Sequence, residues 1–185
     1  MASARWHSTS LAGCVSVSHI LAVAALVAHY GGDEDQVISG VLHDVVEDHG
    51  GEPRAVEIGE LFGTRVEAIV RDCSDSFAVD RGQKSPWRER KDAYLAKVAG
   101  EDVHAGRLVE ACDKLANLRD IVEDLDDVGG HEALDRFNGG RDGTRWYYNE
   151  LGRVLMPQVG NERLREADAR ELADLNRLCE VHSGT

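Results

Sequence analysis

The sequence has few cysteines and little positive charge, and each shortage excludes a class of protein. The four cysteines form no CxxC pair, which argues against a structural zinc of the finger or ribbon type. Lys and Arg number 21 against 34 Asp and Glu, so the formal net charge is −13 at pH 7. A charge of that sign repels a polyphosphate backbone, and we therefore expect no nucleic-acid partner.

Long apolar segments are lacking too. The apolar run over 20–28 is about half the length that a helix needs to span a bilayer. A Leu-Ala-Gly-Cys sequence that ends at Cys14 resembles a lipoprotein cleavage site, but no apolar stretch precedes it. We therefore expect no membrane attachment, and we interpret the cysteines as reduced thiols of a cytoplasmic protein.

Strand patterns are also missing, because no segment alternates apolar and polar residues with β-branched enrichment. Helical patterns recur instead, with prolines and Gly-Gly pairs at the expected helix ends. We predict a single all-α bundle of about eight or nine helices, with a loop over 74–85. The predicted helices cover 16–30, 33–48, 54–61, 64–72, 86–98, 104–123, 143–156 and 160–179, with a further short helix between Gly130 and Gly139.

Four ionisable residues fall close together on the second predicted helix: His43, Asp44, Glu47 and Asp48. Residues four apart share a helix face, so His43 pairs with Glu47 and Asp44 with Asp48 on adjacent ridges. The first two offer a nitrogen and a carboxylate oxygen to one cation, and the other two place carboxylates a turn beyond. Acidic runs of this kind also occur on solvated helices, so the motif alone does not establish a site.

Two other segments favour a metal site. His19 lies on the preceding apolar helix, which the short Gly-Gly connection predicts to pack antiparallel on the helix of His43. Asp113 follows a stripe of apolar residues on a later helix, and Asn117 lies one turn beyond it. A buried carboxylate is costly without a compensating cation. Two His and two Asp form a mixed nitrogen and oxygen set suited to Mn²⁺, Fe²⁺ or a similar hydrolytic metal.

Taken in order, His19, the HDVVED sequence and the DKLANLRD sequence resemble a known family. It is the HD-domain hydrolase module of the RelA/SpoT proteins, in the single-domain small alarmone hydrolase form that includes the metazoan SpoT homologues. The resemblance covers about 19–148. It implies an HD-type phosphohydrolase domain over 1–158, and we predict that 159–185 is a C-terminal helical extension.

The resemblance also implies an activity. Members of this family remove the 3′-pyrophosphate from ppGpp or pppGpp, the alarmones of the stringent response, and their usual cofactor is Mn²⁺. The implied partner is therefore a small phosphorylated nucleotide. The implied roles are metal ligation by His19, His43, Asp44 and Asp113, positioning and activation of the attacking water by Glu47 and Asp48, and contact with the nucleotide sugar region by Asn117.

A basic cluster over 84–91 resembles the basic run that follows the mid-domain loop of this family. We predict that Lys84, Arg88 or Lys91 contacts a distal phosphate of the substrate. The alternative is a solvated helix face on which these cations pair with acidic neighbours.

Two other functions stay open. The segment before His19 has no Lys and a single Arg, Arg5, which leaves room for a nucleotide phosphatase. Such an enzyme would act on the 2′-phosphate of NADPH or on a nucleoside monophosphate. The other is a non-catalytic nucleotide-binding or regulatory module, which the intact Glu47-Asp48 pair disfavours. The sequence does not indicate an oligomeric state.

Overall fold

The structure, a computed structural model, describes residues 17–48, 51–74, 85–100, 104–127 and 138–181. Within these ranges it contains nine α-helices, one short 3₁₀ helix and no strand, which confirms the predicted all-α fold. The elements are α1 (Val17–His29), α2 (Glu34–Leu42), α3 (Val45–Asp48), α4 (Gly51–Phe62), α5 (Thr64–Cys73), α6 (Trp87–Gly100), α7 (Gly106–Asp127), α8 (Gly140–Val154), the 3₁₀ helix (Met156–Gln158) and α9 (Glu162–Val181). The predicted loop over 74–85 lies largely outside the described residues, and so does the predicted short helix after Gly130.

Helix α7 is the centre of the main core, and α1, α2, α5 and α9 all pack against it. Its inward stripe repeats at helical spacing and is almost completely buried, as Cys112, Leu115 and Leu118 illustrate. Burying apolar surface of this kind stabilises the fold by about 25 cal/mol per Å². The predicted helix over 104–123 is confirmed, with α7 reaching slightly further at its C-terminal end.

Helices α1 and α2 approach each other at backbone distance. A Cβ placed on Gly40 would lie 3.2 Å from the Cα of Ala24, so only glycine fits without moving one helix. The N-terminus of α2 carries a capping box, in which Asp33 and Gln36 exchange bonds between side chain and backbone N–H. This close contact holds the helix of His19 against the helix that leads into His43.

A second, smaller core lies under α3, α4 and α5. Its buried residues are Val46, Ala55, Ile58, Val66 and Val70. Ile38 and Leu42 of α2 pack on the same cluster, so the C-terminal end of α2 and the start of α3 are anchored together.

The predicted continuous helix over 33–48 is wrong, because α2 ends at Leu42 and His43 and Asp44 form a turn before α3. In a continuing helix the Gly40 carbonyl would pair with the N–H of Asp44. Instead the imidazole Nδ1 of His43 lies 2.9 Å from that carbonyl. The side chain thus satisfies a carbonyl at the helix end, and the turn directs His43 and Asp44 inward.

Helix α9 joins the main core. Asn161 caps its N-terminus by accepting from the Leu164 N–H at 3.0 Å, and the same side chain donates to the Tyr30 carbonyl at 2.7 Å. Buried Leu164 and Leu175 pack in the same cluster as α7 and α8. The proposed division of the chain at residue 158 stays a prediction. In the part of the chain that the structure covers, no helix has both the length and the apolar character to cross a membrane.

Candidate metal centre

The turn between α2 and α3 orients the His43 ring. Its Nδ1–H donates to the Gly40 carbonyl, which leaves Nε2 as the nitrogen that faces the interior. The residue is only 2% exposed. An imidazole held in this way presents one nitrogen in a defined direction, which is the arrangement that a metal ligand requires.

Three separate parts of the chain bring their donor atoms to His43 Nε2. Asp44 Oδ2 is 3.2 Å from it and Asp113 Oδ1, on α7, is 3.6 Å from it. His19 Nε2, on α1, lies 3.1 Å from the same Asp113 oxygen. The donor atoms of His19, His43 and Asp44 all lie within 4.8 Å of one another. The structure thus brings together the four residues that the sequence predicts as ligands.

Asp113 is the most highly connected of the four. Asn117 Nδ2 donates to its Oδ1 at 2.7 Å and to its backbone carbonyl at 3.0 Å, while Lys114 Nζ lies 2.7 Å from Oδ2. Burial raises the pKa of Asp113, but the Lys114 charge and the two histidines outweigh it and hold the pKa well below its usual value. Asp113 is therefore an ionised carboxylate at neutral pH.

The donor set fits a divalent cation. His43 Nε2 is buried and has no hydrogen-bond partner among the described residues, since neither carboxylate oxygen nearby meets hydrogen-bond geometry. Burial lowers the pKa of His43, but the carboxylates of Asp113 and Asp44 outweigh it and raise the pKa to about 10. The negative potential that favours a proton on Nε2 also favours a metal ion there. Nitrogen and carboxylate donors together suit a first-row transition metal.

The structure describes the side chains of only some of the remaining predicted residues. Asn117 belongs to the cluster through its bonds to Asp113. Glu47 and Asp48 lie on α3, just after Asp44, but their side chains are outside the described part of the structure, as is Lys84. Their predicted roles therefore stay predictions.

Arg88 and Lys91 lie on α6 against an aromatic face of α8. The Arg88 guanidinium lies 3.3 Å from the ring centroid of Trp146 and donates to Asp92 at 3.0 Å, while Lys91 Nζ is 4.5 Å from the Tyr147 ring centroid. The Arg88–Asp92 pair is the solvated ion pair of the alternative interpretation. The Tyr147 and Tyr148 side chains are buried, as expected for core aromatics.

Lys114 also belongs to this cluster, although the sequence did not predict a role for it. It lies in the DKLANLRD motif, directly after Asp113, and adjacent helix residues do not normally face each other. The sequence signal that could have indicated this contact is a lysine directly after a buried aspartate in a metal-binding motif. Its Nζ is also 5.3 Å from the Tyr94 ring centroid, so an aromatic ring and a carboxylate both hold it.

Comparison with known proteins agrees with this geometry. A family model described as HD domain matches residues 2–131. The chain is 35% identical over 123 residues to the guanosine-3′,5′-bis(diphosphate) 3′-pyrophosphohydrolase MESH1 of Drosophila melanogaster, which covers 66% of this chain and 62% of that protein. MESH1 of Danio rerio is 31% identical over 111 residues, covering 59% of this chain and 57% of its own. The chain thus spans about three fifths of the length of these curated relatives.

Two solved structures share the fold. The protein lmo0812 of Listeria monocytogenes EGD-e superposes with a TM-score of 0.67 at 24% identity, covering 88% of this chain and 98% of its own. A metazoan orthologue of SpoT, described as hydrolysing ppGpp, superposes with a TM-score of 0.62 at 23% identity, over 87% and 79% of the two chains. With the family match extending over more than half of its residues, this chain belongs to the HD domain family.

Proposed function

We propose that this chain is a metal-dependent phosphohydrolase that converts ppGpp to GDP and pyrophosphate. The observation that carries the proposal is the convergence of four donor side chains from α1, the α2–α3 turn and α7 around the buried His43 Nε2. Relatives at 31–35% identity are named guanosine-3′,5′-bis(diphosphate) 3′-pyrophosphohydrolases, and this supports the choice of substrate.

In this proposal His19, His43, Asp44 and Asp113 hold the cation, and Mn²⁺ is the ion that we assign. Two imidazoles and two carboxylates form a mixed donor set that Mn²⁺ accepts. The chemistry that such an ion supplies is a water of lowered pKa and compensation of charge on phosphate oxygens. The chain itself orients the donors, since Gly40 fixes the His43 ring and both Asn117 and Lys114 fix the Asp113 carboxylate.

We assign proton removal from the attacking water to Glu47 and Asp48. Both lie on α3, whose first residue follows Asp44 directly. Val46 of the same helix is 1% exposed and packs in the smaller core, so the backbone that carries the two acids is anchored. A carboxylate that accepts the proton of an attacking water acts as a general base.

We assign the phosphates of the nucleotide to a cation of the basic cluster, namely Lys84, Arg88 or Lys91, and the sugar region to Asn117. Arg88, Lys91 and Tyr94 follow one another at intervals of three residues and so lie along one ridge of α6. The ridge leads to the metal centre, because the Tyr94 ring neighbours Lys114 and Lys114 contacts Asp113. A phosphate group on this ridge would meet positive charge in a protein that is otherwise acidic.

We place the reaction in the cytoplasm. Cys73, Cys112 and Cys179, the cysteines among the described residues, are thiols outside any disulfide, which supports a reducing compartment.

The test is a product assay with Mn²⁺ in which ppGpp, NADPH and nucleoside monophosphates are offered separately. We expect pyrophosphate from ppGpp, and we expect a chelator to stop its release. Orthophosphate from NADPH or a monophosphate with ppGpp untouched would keep a hydrolase but reject the assigned substrate. Binding of a nucleotide without turnover would instead favour a regulatory module.

A matched pair of histidine variants tests the site. His19→Asn should lower turnover by about 100-fold or more, the scale on which an essential group near the nucleophile acts. His29→Asn, on the same helix, should leave turnover unchanged, because His29 is exposed and contacts Arg163. Equal loss in both folded variants, as judged by circular dichroism, would reject His19 as a ligand.

A further inference from the structure

The two carboxylate oxygens of Asp113 face different partners. Oδ1 faces the donor cluster, with His19 Nε2 at 3.1 Å, His43 Nε2 at 3.6 Å and Asn117 Nδ2 at 2.7 Å. Oδ2 faces Lys114 Nζ at 2.7 Å. The carboxylate is therefore divided between a side that can meet a cation and a side that an ammonium group already occupies.

Lys114 is not a solvated surface lysine. Its side chain is 16% exposed, and its Nζ lies between the Asp113 carboxylate and the ring of Tyr94, which is itself 5% exposed. Neighbouring residues on a helix diverge around the axis, so Lys114 has to bend back over α7 to reach Asp113. Holding a lysine in one such conformation costs side-chain entropy, which the charge-assisted bond and the ring contact offset.

This contact has a consequence for how Asp113 can bind a metal. A free carboxylate can bind an ion through one oxygen or through both, whereas an ammonium group 2.7 Å from one oxygen repels a cation there and makes the other oxygen the favoured donor. The Asn117 amide at Oδ1 is neutral, so Oδ1 can still bind a cation. Hydrolytic metal sites keep a coordination position open for water or substrate. A second oxygen from Asp113 would occupy such a position.

We propose that Lys114 is a positioning residue that reserves Oδ2 of Asp113 and so restricts this carboxylate to binding the metal through Oδ1. The inference rests on the metal site of the proposed function. It gives Lys114 a role in keeping the site open and not in tightening metal binding, because the lysine adds positive charge near a cation and so weakens the attraction for it.

The test compares Lys114→Met with Lys114→Arg, using Co²⁺ alone as the probe of the full chain. The visible absorption of Co²⁺ falls as its coordination number rises. We expect Lys114→Met to bind Co²⁺ at least as tightly as the unaltered chain, with a weaker absorption band, because Asp113 then binds through both oxygens. With Mn²⁺, turnover should fall by about 10–100-fold, the scale for residues that orient ligands. Lys114→Arg should keep the absorption band of the unaltered chain, because the guanidinium also carries a positive charge.

Lys97→Met is the matched control, since Lys97 is also partly buried but donates to the Asp72 carbonyl, away from Asp113. It should leave both absorption and turnover unchanged. If Lys114→Met does not fold, Lys114→Gln gives the same comparison with a side chain that cannot supply the charge.

Three outcomes would overturn the proposal. Loss of Co²⁺ affinity would mean that Lys114 merely holds Asp113 in place. An unchanged absorption band with a raised KM would make Lys114 a substrate contact, and an unchanged band with unchanged turnover would give it no role. If the unaltered chain binds Co²⁺ but does not hydrolyse ppGpp, the proposed function fails, while the absorption comparison still decides the role of Lys114.

Discussion

Two buried acids on α7, Glu110 and Asp113, lie about one turn apart and behave in opposite ways. Among the described residues Glu110 has one cationic partner within hydrogen-bond distance, Arg107 at 2.7 Å, and its burial outweighs that partner and raises its pKa. Asp113 is also buried, yet Lys114 and two histidines hold its pKa well below the usual value. The position on the helix and the burial are similar, so the difference comes from the number of positive groups that converge on each carboxylate.

The two sites also differ in what they leave available. The fully buried Arg107 donates hydrogen bonds to Gln158 and to the Val98 carbonyl as well as to Glu110. These bonds connect α7 with α6 and with the segment after α8. At Asp113 the neighbouring His43 Nε2 remains without a hydrogen-bond partner among the described residues. Glu110 also keeps one buried oxygen, Oε1, without a partner among the described residues, but that oxygen lies beside the Arg107 guanidinium. The Asp113 site instead leaves a nitrogen beside carboxylates from two parts of the chain, which is the mixed donor pattern that a metal ion uses.

The largest expected difference between the sites appears when each acid is removed. Asp113→Ala should abolish both hydrolysis and the stabilisation by Mn²⁺, which is about 2.7 kcal/mol when the ion is at 100 times its Kd. Glu110→Gln should retain both, because Glu110 belongs to the Arg107 pair. Thermal unfolding with and without Mn²⁺ measures the effect. A Tm increase with Mn²⁺ in Asp113→Ala would show that the ion binds elsewhere.

A smaller but still large effect is expected at the structural pair. Arg107→Met should lower the free energy of unfolding by about 3–5 kcal/mol, because it leaves the buried Glu110 carboxylate uncompensated. The double variant Arg107→Met with Glu110→Met should recover most of that loss. Urea unfolding measures both. The Mn²⁺-induced rise in Tm should survive in each folded variant, and its loss would mean that the two sites on α7 are coupled.

Asp168, on α9, extends the comparison to a buried acid for which the described part of the chain supplies no ion pair. Burial, together with the Glu171 charge, raises the pKa of Asp168 to about 6, from an ordinary value of 3.8. Because the pKa is raised in the folded state, the protonated carboxyl makes its full contribution to the free energy of unfolding below about pH 4. That contribution is lost as the pH rises through 6 and the carboxyl ionises. Asp168→Asn should therefore be more stable than the unaltered chain above pH 6, by up to about 3 kcal/mol, and nearly equal to it at pH 4. Chemical unfolding at pH 4, 6 and 8 gives the difference, and a gain of the same size at every pH would exclude ionisation of Asp168 as its cause.

Local patterns in the sequence were enough to predict most of the helices and to single out the four donor residues. Apolar stripes at helical spacing predict α1 and α7, and an isolated histidine or aspartate on such a stripe marks an ionisable group that needs a partner. Because α1 and α2 are joined by a short turn, their packing follows from the chain itself. His19 and His43 could therefore be brought together from the sequence alone.

The break at His43 and the burial of Arg107 could not be predicted in this way. Apolar residues continue across the break from Val41 to Val46, so the periodicity predicts a single helix. In the structure α2 ends before His43, whose side chain bonds the Gly40 carbonyl. Arginine is rarely fully buried, and the burial of Arg107 depends on partners that include Glu110, Gln158 and the Val98 carbonyl. Lys114 was missed for the same reason, since its position depends on Tyr94 of another helix.

Gly40 influences the metal centre in two ways without contributing a side chain to it. The missing Cβ lets α1 and α2 touch, which sets the separation between the two imidazoles. The Gly40 carbonyl also selects the tautomer of His43 by accepting from Nδ1. The spacing of the two imidazoles and the protonation pattern of one of them thus depend on the same small residue. A larger side chain at position 40 would therefore alter the candidate metal site without replacing any of its four donor residues.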